Sequence, residues 1–163
     1  VMDIQPGDIG FAKTNGIMGR AIRFGEELRW HRGSIWNHAF IVDRIEDGKV
    51  YVIQAEAAGV TSDKTLDSVA PKGVYVTMRP PQSVDVESLL AFARQEVGSH
   101  YGWLSIASAI LDILTPGWFP SFRRGNSWIC SAITAEALRA GGWLHRWSDI
   151  YVVTPAQLFD ALT

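Results

Sequence analysis

Cysteine is nearly missing from this chain: Cys130 stands alone among 163 residues. One thiol cannot close an internal disulfide or build a CxxC metal framework, so disulfide-scaffold and zinc-finger readings fall away. An excess of either charge is missing too. Fifteen Lys+Arg against seventeen Asp+Glu leave a net charge of −2 and a pI near 6.1, without the basic footprint of a nucleic-acid binder. Long hydrophobic runs are absent. The most apolar stretch, Trp103 to Leu114, contains Asp112 and is shorter than the roughly 20 residues of a membrane span, so no integral membrane segment is expected. The opening residues carry no basic region followed by an apolar run, so no secretory signal is expected and a soluble protein is. GxGxxG, Walker and HExxH patterns do not occur, which leaves nucleotide and zincin chemistry without support and predicts neither cofactor nor metal. With no repeats, low-complexity tract or long linker, residues 1–163 read as one domain.

Aromatic residues, by contrast, are plentiful, with seven Trp, seven Phe and four Tyr; large rings serve cores and binding surfaces. Pro6-Gly7-Asp8 is turn chemistry, and Ile9 to Ala12 then reads as a strand. Gly16 to Arg29 has helical spacing. Asn37 to Ile45 and Val50 to Glu56 flank the turn residues Glu46-Asp47-Gly48-Lys49 and read as a hairpin. Gly73 to Arg79 is a further strand, stopped by Pro80-Pro81. Asp85 to Val97 is predicted helical, with Val86, Leu89, Leu90, Ala93 and Val97 as its apolar stripe. A second helix is predicted from Tyr101 to about Leu114, an irregular segment from Thr115 to Trp128, and a third helix from Cys130 to Arg139 ahead of Gly141-Gly142. Thr154-Pro155 is an N-cap and first helical position for a short terminal helix. Strands and helices are segregated, which predicts an α+β fold with a central antiparallel sheet packed against helices.

Three residues on these elements can carry chemistry. Cys130 opens a predicted helix, where the free N–H groups and partial positive charge favour a thiolate; a lone cysteine is also commonly a small buried hydrophobe. His38 starts the strand Asn37-His38-Ala39-Phe40-Ile41-Val42. Beside a cysteine it would serve as general base and then general acid, and otherwise it is a hydrogen-bonded strand-end residue. Glu56 ends the partner strand, near the same end of the hairpin as His38, and comes within reach if the register slips by about one pair. A carboxylate there can orient the ring. Gln54 shares the face of Glu56 by alternation and is an alternative orienter. His31, His100 and His145 sit in charged or helix-end settings that suit solvated or capping roles.

The ordered set Gly7-Asp8-Ile9, Asn37-His38-Ala39-Phe40-Ile41-Val42, Ala55-Glu56-Ala57-Ala58-Gly59-Val60, Tyr101-Gly102-Trp103 and Ile129-Cys130-Ser131-Ala132-Ile133 resembles the permuted NlpC/P60 papain-like group. That group includes bacterial permuted amidase-like proteins and lecithin–retinol acyltransferase-like enzymes. Ordinary NlpC/P60 proteins place the cysteine helix before the histidine strand; permuted members reverse the order, as here. The resemblance implies a circularly permuted papain-like fold over 1–163, with Cys130 as nucleophile, His38 as base and Glu56 as polar orienter. It makes Asp8 structural and places Tyr101 at an aromatic position ahead of the nucleophile. Gly102 stands where relatives often carry Asp, and the Trp-rich loop from Trp118 to Trp128 has no counterpart.

The function this implies is a cysteine hydrolase acting on amide or ester bonds, with bacterial cell-wall peptides (peptidoglycan) as the first substrate class. Tyr101, Trp36, Trp128 and Arg124 are the candidate substrate contacts. Lipid acyl transfer or deacylation at the same site is the rival chemistry. A non-catalytic module binding through its aromatic surface is the rival of another class.

Overall fold

The computed structural model describes residues 3–14, 35–71, 73–101, 127–144, 150 and 153–163, with the side chains of Tyr101, Ser127 and Trp128 excepted. The helix expected over 16–29, the irregular segment up to 126 and the part of the second predicted helix beyond residue 101 lie outside these residues.

Five strands form one antiparallel sheet: β1 (Ile9–Ala12), β2 (His38–Glu46), β3 (Lys49–Glu56), β4 (Gly59–Thr65) and β5 (Tyr75–Met78), in the order β4-β3-β2-β1-β5. The β2–β3 hairpin turns at Asp47-Gly48, both at positive φ (51° and 72°). Two consecutive left-handed residues match the twist of the flanking strands, which is why Asp-Gly sits there. The four described helices are α1 (Leu66–Val69), α2 (Val86–Gln95), α3 (Cys130–Ala140) and α4 (Pro155–Leu162). Chain segregation therefore does produce an α+β arrangement, as the sequence predicts.

Alternation along the strands sorts the sheet into two faces. Ile9, Phe11, Ala39, Ile41, Ile53 and Ala55 belong to the main core with Leu89, Leu90 and Ala93 of α2, Ala132, Ile133 and Leu138 of α3, and Leu158 of α4. Ala12, Phe40, Val42 and Val52 face the other way and are covered by Leu66 and Ala70. Phe40 lies over Gly10, its partner in the register; a Cβ at position 10 would fall 2.0 Å from the ring, so the close approach requires glycine. Val97, expected on the stripe of α2, lies beyond the helix end and is exposed.

Helix ends follow local chemistry. Asp85 caps α2, accepting from the N–H groups of Glu87 and Ser88 at 3.2 and 3.3 Å. Thr154 and Gln157 close a capping box on α4 at 3.2 and 3.0 Å, with Pro155 in its first turn. α3 is buried on every side from Cys130 to Leu138, its polar Ser131, Thr134 and Glu136 included, and packs against α2, α4, β2 and β3.

Two expectations require correction. Tyr101 does not begin a helix: His100–Tyr101 is a short strand, β6, paired in parallel with β7 (Ser127–Trp128), a segment expected to be irregular. Two-residue strands that depend on a distant partner leave no local period to read. β4 and α1 were not foreseen either, because Thr61-Ser62-Asp63-Lys64-Thr65 is a polar edge strand with little apolar alternation.

A β-bulge interrupts the hairpin. Arg44 pairs with Tyr51 but Val42 pairs with Val52, so Asp43 is an extra residue on β2. Its buried carboxylate accepts from Arg44 Nη1 and from Arg94 Nε of α2, each at 2.7 Å, and Arg94 Nη2 also donates to the Asp43 carbonyl at 3.2 Å. Asp43→Ala is expected to lower the unfolding free energy by about 1–3 kcal/mol, read as a drop in the urea midpoint with the m-value retained.

Candidate active site

The site is set by where the β2–β3 ladder stops. Pairing runs outward from the turn to Ile41↔Ile53 and no further. Val42 N–H donates across to Asp8 on the β1 side, so the N–H groups of Ala39 and Ile41, alternating with it, face β3. Beyond the last pair, Ala39 N–H has no ladder partner to meet. It donates instead to the sulfur of Cys130, as does the N–H of Ser131.

Cys130 is the first residue of α3 and is buried. Ile129 occupies the N-cap and offers no side-chain acceptor. The first-turn N–H groups are therefore not taken up by a cap, whereas those of α2 and α4 are. The start of α3 is anchored from the other side by Ser131, whose hydroxyl donates to the Val153 carbonyl at 2.5 Å, and Thr134 donates to the Cys130 carbonyl at 2.9 Å.

His38, half-buried at the start of β2, hydrogen-bonds the Cys130 sulfur. Its Nε2 lies 2.5 Å from Gln54 Oε1; a carbonyl oxygen only accepts, so Nε2–H donates and Nδ1 is left for the sulfur. Gln54 Nε2 in turn donates to Glu56 Oε2 across a long 3.4 Å. Continuing the pairing Ile41↔Ile53 outward brings His38 level with Glu56, the one-pair slip the sequence requires, and the bulge at Asp43 supplies it. Asn37 fixes the approach to His38: it accepts from Thr14 N–H at 2.7 Å and donates to the Thr14 carbonyl at 2.8 Å, while its own N–H donates to Ala12.

The electrostatics follow from these contacts. Burial alone pushes the Cys130 thiol up, but the His38 charge and hydrogen bond, followed by the N–H groups of Ala39 and Ser131, bring it below the usual thiol range. Burial pushes His38 down, yet the charge and hydrogen bond of Cys130, then the Gln54 hydrogen bond and the Glu56 charge, raise it above the usual imidazole range. The lowered thiol and the raised imidazole both favour passage of the thiol proton to the ring.

The structure thus brings Cys130 and His38 together directly and Glu56 at one remove, with Gln54 as the residue that touches the ring. Trp36 is half-buried and packs against the core, its ring 5.8 Å from that of Phe159, which meets Phe11 edge-on at 5.2 Å. Tyr101 and Trp128 are register partners in the β6–β7 pair, Trp128 two residues before Cys130; their side chains, and Arg124 entirely, lie outside the description. Asp8 is structural: it is buried, accepts from Gln5 N–H at 2.9 Å and pairs with Arg79 at 2.5 Å. The Ala39 and Ser131 N–H groups, Asn37 and Asp43 were not singled out beforehand. Of these only Asp43, a charge inside an apolar run, left a sequence signal.

No protein-family model matches this chain, and no curated protein does. Among solved structures it is similar to one described as the metalloprotein yiiX from Escherichia coli O157:H7, DUF1105. The two share 19% identity over 96% of this chain and 92% of that one, with a TM-score of 0.63. At that identity the likeness establishes a shared fold.

Iodoacetamide alkylation of Cys130 followed against pH is expected to have its midpoint below the ~8.5 of a free cysteine. His38→Ala is expected to move that midpoint up past the free value, because burial then acts with its main opposing charge removed. Coincident wild-type and variant profiles would contradict the pairing.

Proposed function

We propose that this chain is a cysteine hydrolase of the permuted papain-like kind, cleaving amide or ester bonds, with bacterial cell-wall peptides as its first substrate class. The observation that carries the reading is the contact of a helix-opening thiol with an imidazole whose other nitrogen is held by an amide carbonyl. A cysteine buried only to fill space has no use for a lowered pKa, two backbone N–H donors and an oriented ring.

The chemistry balances on these groups. The thiol proton passes to His38 Nδ1, and the Cys130 thiolate adds to the substrate carbonyl carbon. First-turn N–H groups left free by the apolar N-cap are suited to the oxyanion that results. Collapse of the adduct breaks the bond to the leaving amine or alcohol, which takes the proton from His38, and a thioester remains on Cys130. Water then attacks the thioester, giving its proton to His38; breakdown releases the acid and returns the proton to the sulfur. The net reaction consumes one water and yields acid plus amine or alcohol.

The solved neighbour yiiX is described as a metalloprotein. Here the donors at the site are one thiol and one imidazole, with an amide and a carboxylate behind them. Among the described residues no group of three or more His, Cys, Asp or Glu is placed to hold a metal ion, and the proposed steps run through the thiol. No described helix is long and apolar enough to cross a membrane.

Wild-type protein incubated with peptidoglycan fragments is expected to release new amino groups, and Cys130→Ala to lose that activity by roughly 10³-fold or more while keeping its far-UV circular dichroism. Phospholipid vesicles run in parallel separate the rival chemistry: fatty-acid release in place of amine release would move the assignment to deacylation.

A further inference from the structure

We propose that Glu56 is a positioning residue acting through Gln54: it selects which end of the Gln54 amide faces His38 and so which ring nitrogen carries the proton. This deepens, and rests on, the thiol–imidazole reading above.

The two ends of a glutamine amide have nearly the same shape but opposite hydrogen-bonding character. With Oε1 toward the ring, Gln54 accepts from Nε2–H and leaves Nδ1 unprotonated, able to take the proton of Cys130. With the amide turned over, its NH₂ needs the Nε2 lone pair. The ring proton is then forced onto Nδ1, against the sulfur, and the imidazolium loses its acceptor. The site works as a base in the first orientation and not in the second.

Something must therefore choose between them. Gln54 is buried, and among the described residues its side chain makes two hydrogen bonds: Oε1 with His38 and Nε2 with Glu56. Thr61 stands directly across from Gln54 in the β3–β4 register, but among the described residues its buried hydroxyl has no hydrogen-bond partner, so it does not hold the amide. The selecting group is Glu56. An ionised carboxylate has only acceptors; it matches the NH₂ end and repels the carbonyl end. The 3.4 Å contact is long, yet discrimination needs only the sign of the preference. Among the described residues the charged groups acting on the ring are Cys130 and Glu56, and His38 is the one acting on the sulfur.

The test compares wild type, Glu56→Gln, Gln54→Glu, the double variant Gln54→Glu/Glu56→Gln, and His38→Gln. Each is read by the pH profile of Cys130 alkylation with iodoacetamide and by long-range ¹H–¹⁵N NMR of the His38 ring. Glu56→Gln offers the amide both a donor and an acceptor. It is expected to shift the acid limb of the profile up by about one pH unit, tenfold in thiolate fraction, and to replace a pure Nε2–H tautomer by a mixture. In the Gln54→Glu background a carboxylate meets Nε2–H whichever way it turns, so adding Glu56→Gln is expected to leave the tautomer unmoved and to shift the profile by less than Glu56→Gln does alone, only the charge of Glu56 on the ring being lost. An unmoved profile and tautomer in Glu56→Gln would overturn the proposal. So would an equal shift in both backgrounds, which would mean that Glu56 acts by charge directly on the ring. If His38→Gln moves the profile and Glu56→Gln does not, the relay alone fails; if neither moves it, the thiol–imidazole reading fails and the relay with it.

Discussion

Asp43 is one residue too many for a regular hairpin, and the candidate site depends on that surplus. Counted from the Asp47-Gly48 turn without a bulge, His38 would pair with Ala57, and alternation would put Gln54 and Glu56 on the face opposite the ring. The extra residue shifts the pairing by one beyond Val42, so that 38, 54 and 56 share a face. A bulge costs ladder hydrogen bonds and must be held. Here it is held by a buried carboxylate between an arginine of the same strand and one from α2. The contact from α2 thus reaches the imidazole through strand register.

The same hairpin accounts for the second half of the site. Because the ladder ends at Ile41↔Ile53, Ala39 N–H is available to the sulfur, and α3 delivers Cys130 into that opening with its N-terminus uncapped. Each of these would count against stability if it stood alone: an unfinished ladder, a helix without a cap, a thiol with a lowered pKa away from bulk water. Together they satisfy one another, since the N–H groups that strand and helix leave over are the ones that meet the sulfur. Local rules are broken where the thiol and imidazole meet.

Much of this was legible in the chain itself. The Asp-Gly turn with its flanking β-branched runs, the caps at Asp85 and Thr154-Pro155, and the helix opening at Cys130 are short-range chemistry, and each forms where its residues call for it. Glu56 was legible as a neighbour of His38 only through a register slip, whose source was hidden. A bulge is a relation between two strands, and Val42-Asp43-Arg44 shows only a charge in an apolar run. Likewise Gln54 could be placed on the right face, but contact with the ring depends on that bulge. The β6–β7 pair and polar β4 were illegible because their reasons lie in distant partners: Gly98 and Ser99 exchange hydrogen bonds with Val60, and nothing within either segment records it.

His38 and Cys130 come from opposite halves of the chain, on the second strand and the third described helix. Bringing them together requires closing a long loop, a step whose entropic cost is recovered only when the sheet and helices dock. Until then the thiol is unexceptional, without an imidazole beside it or N–H groups aimed at it. A growing or misfolded copy therefore carries an ordinary cysteine, and the one with a lowered pKa exists only in the finished fold. The distance along the chain between the two residues thus ties the altered acidity of the thiol to completion of the fold.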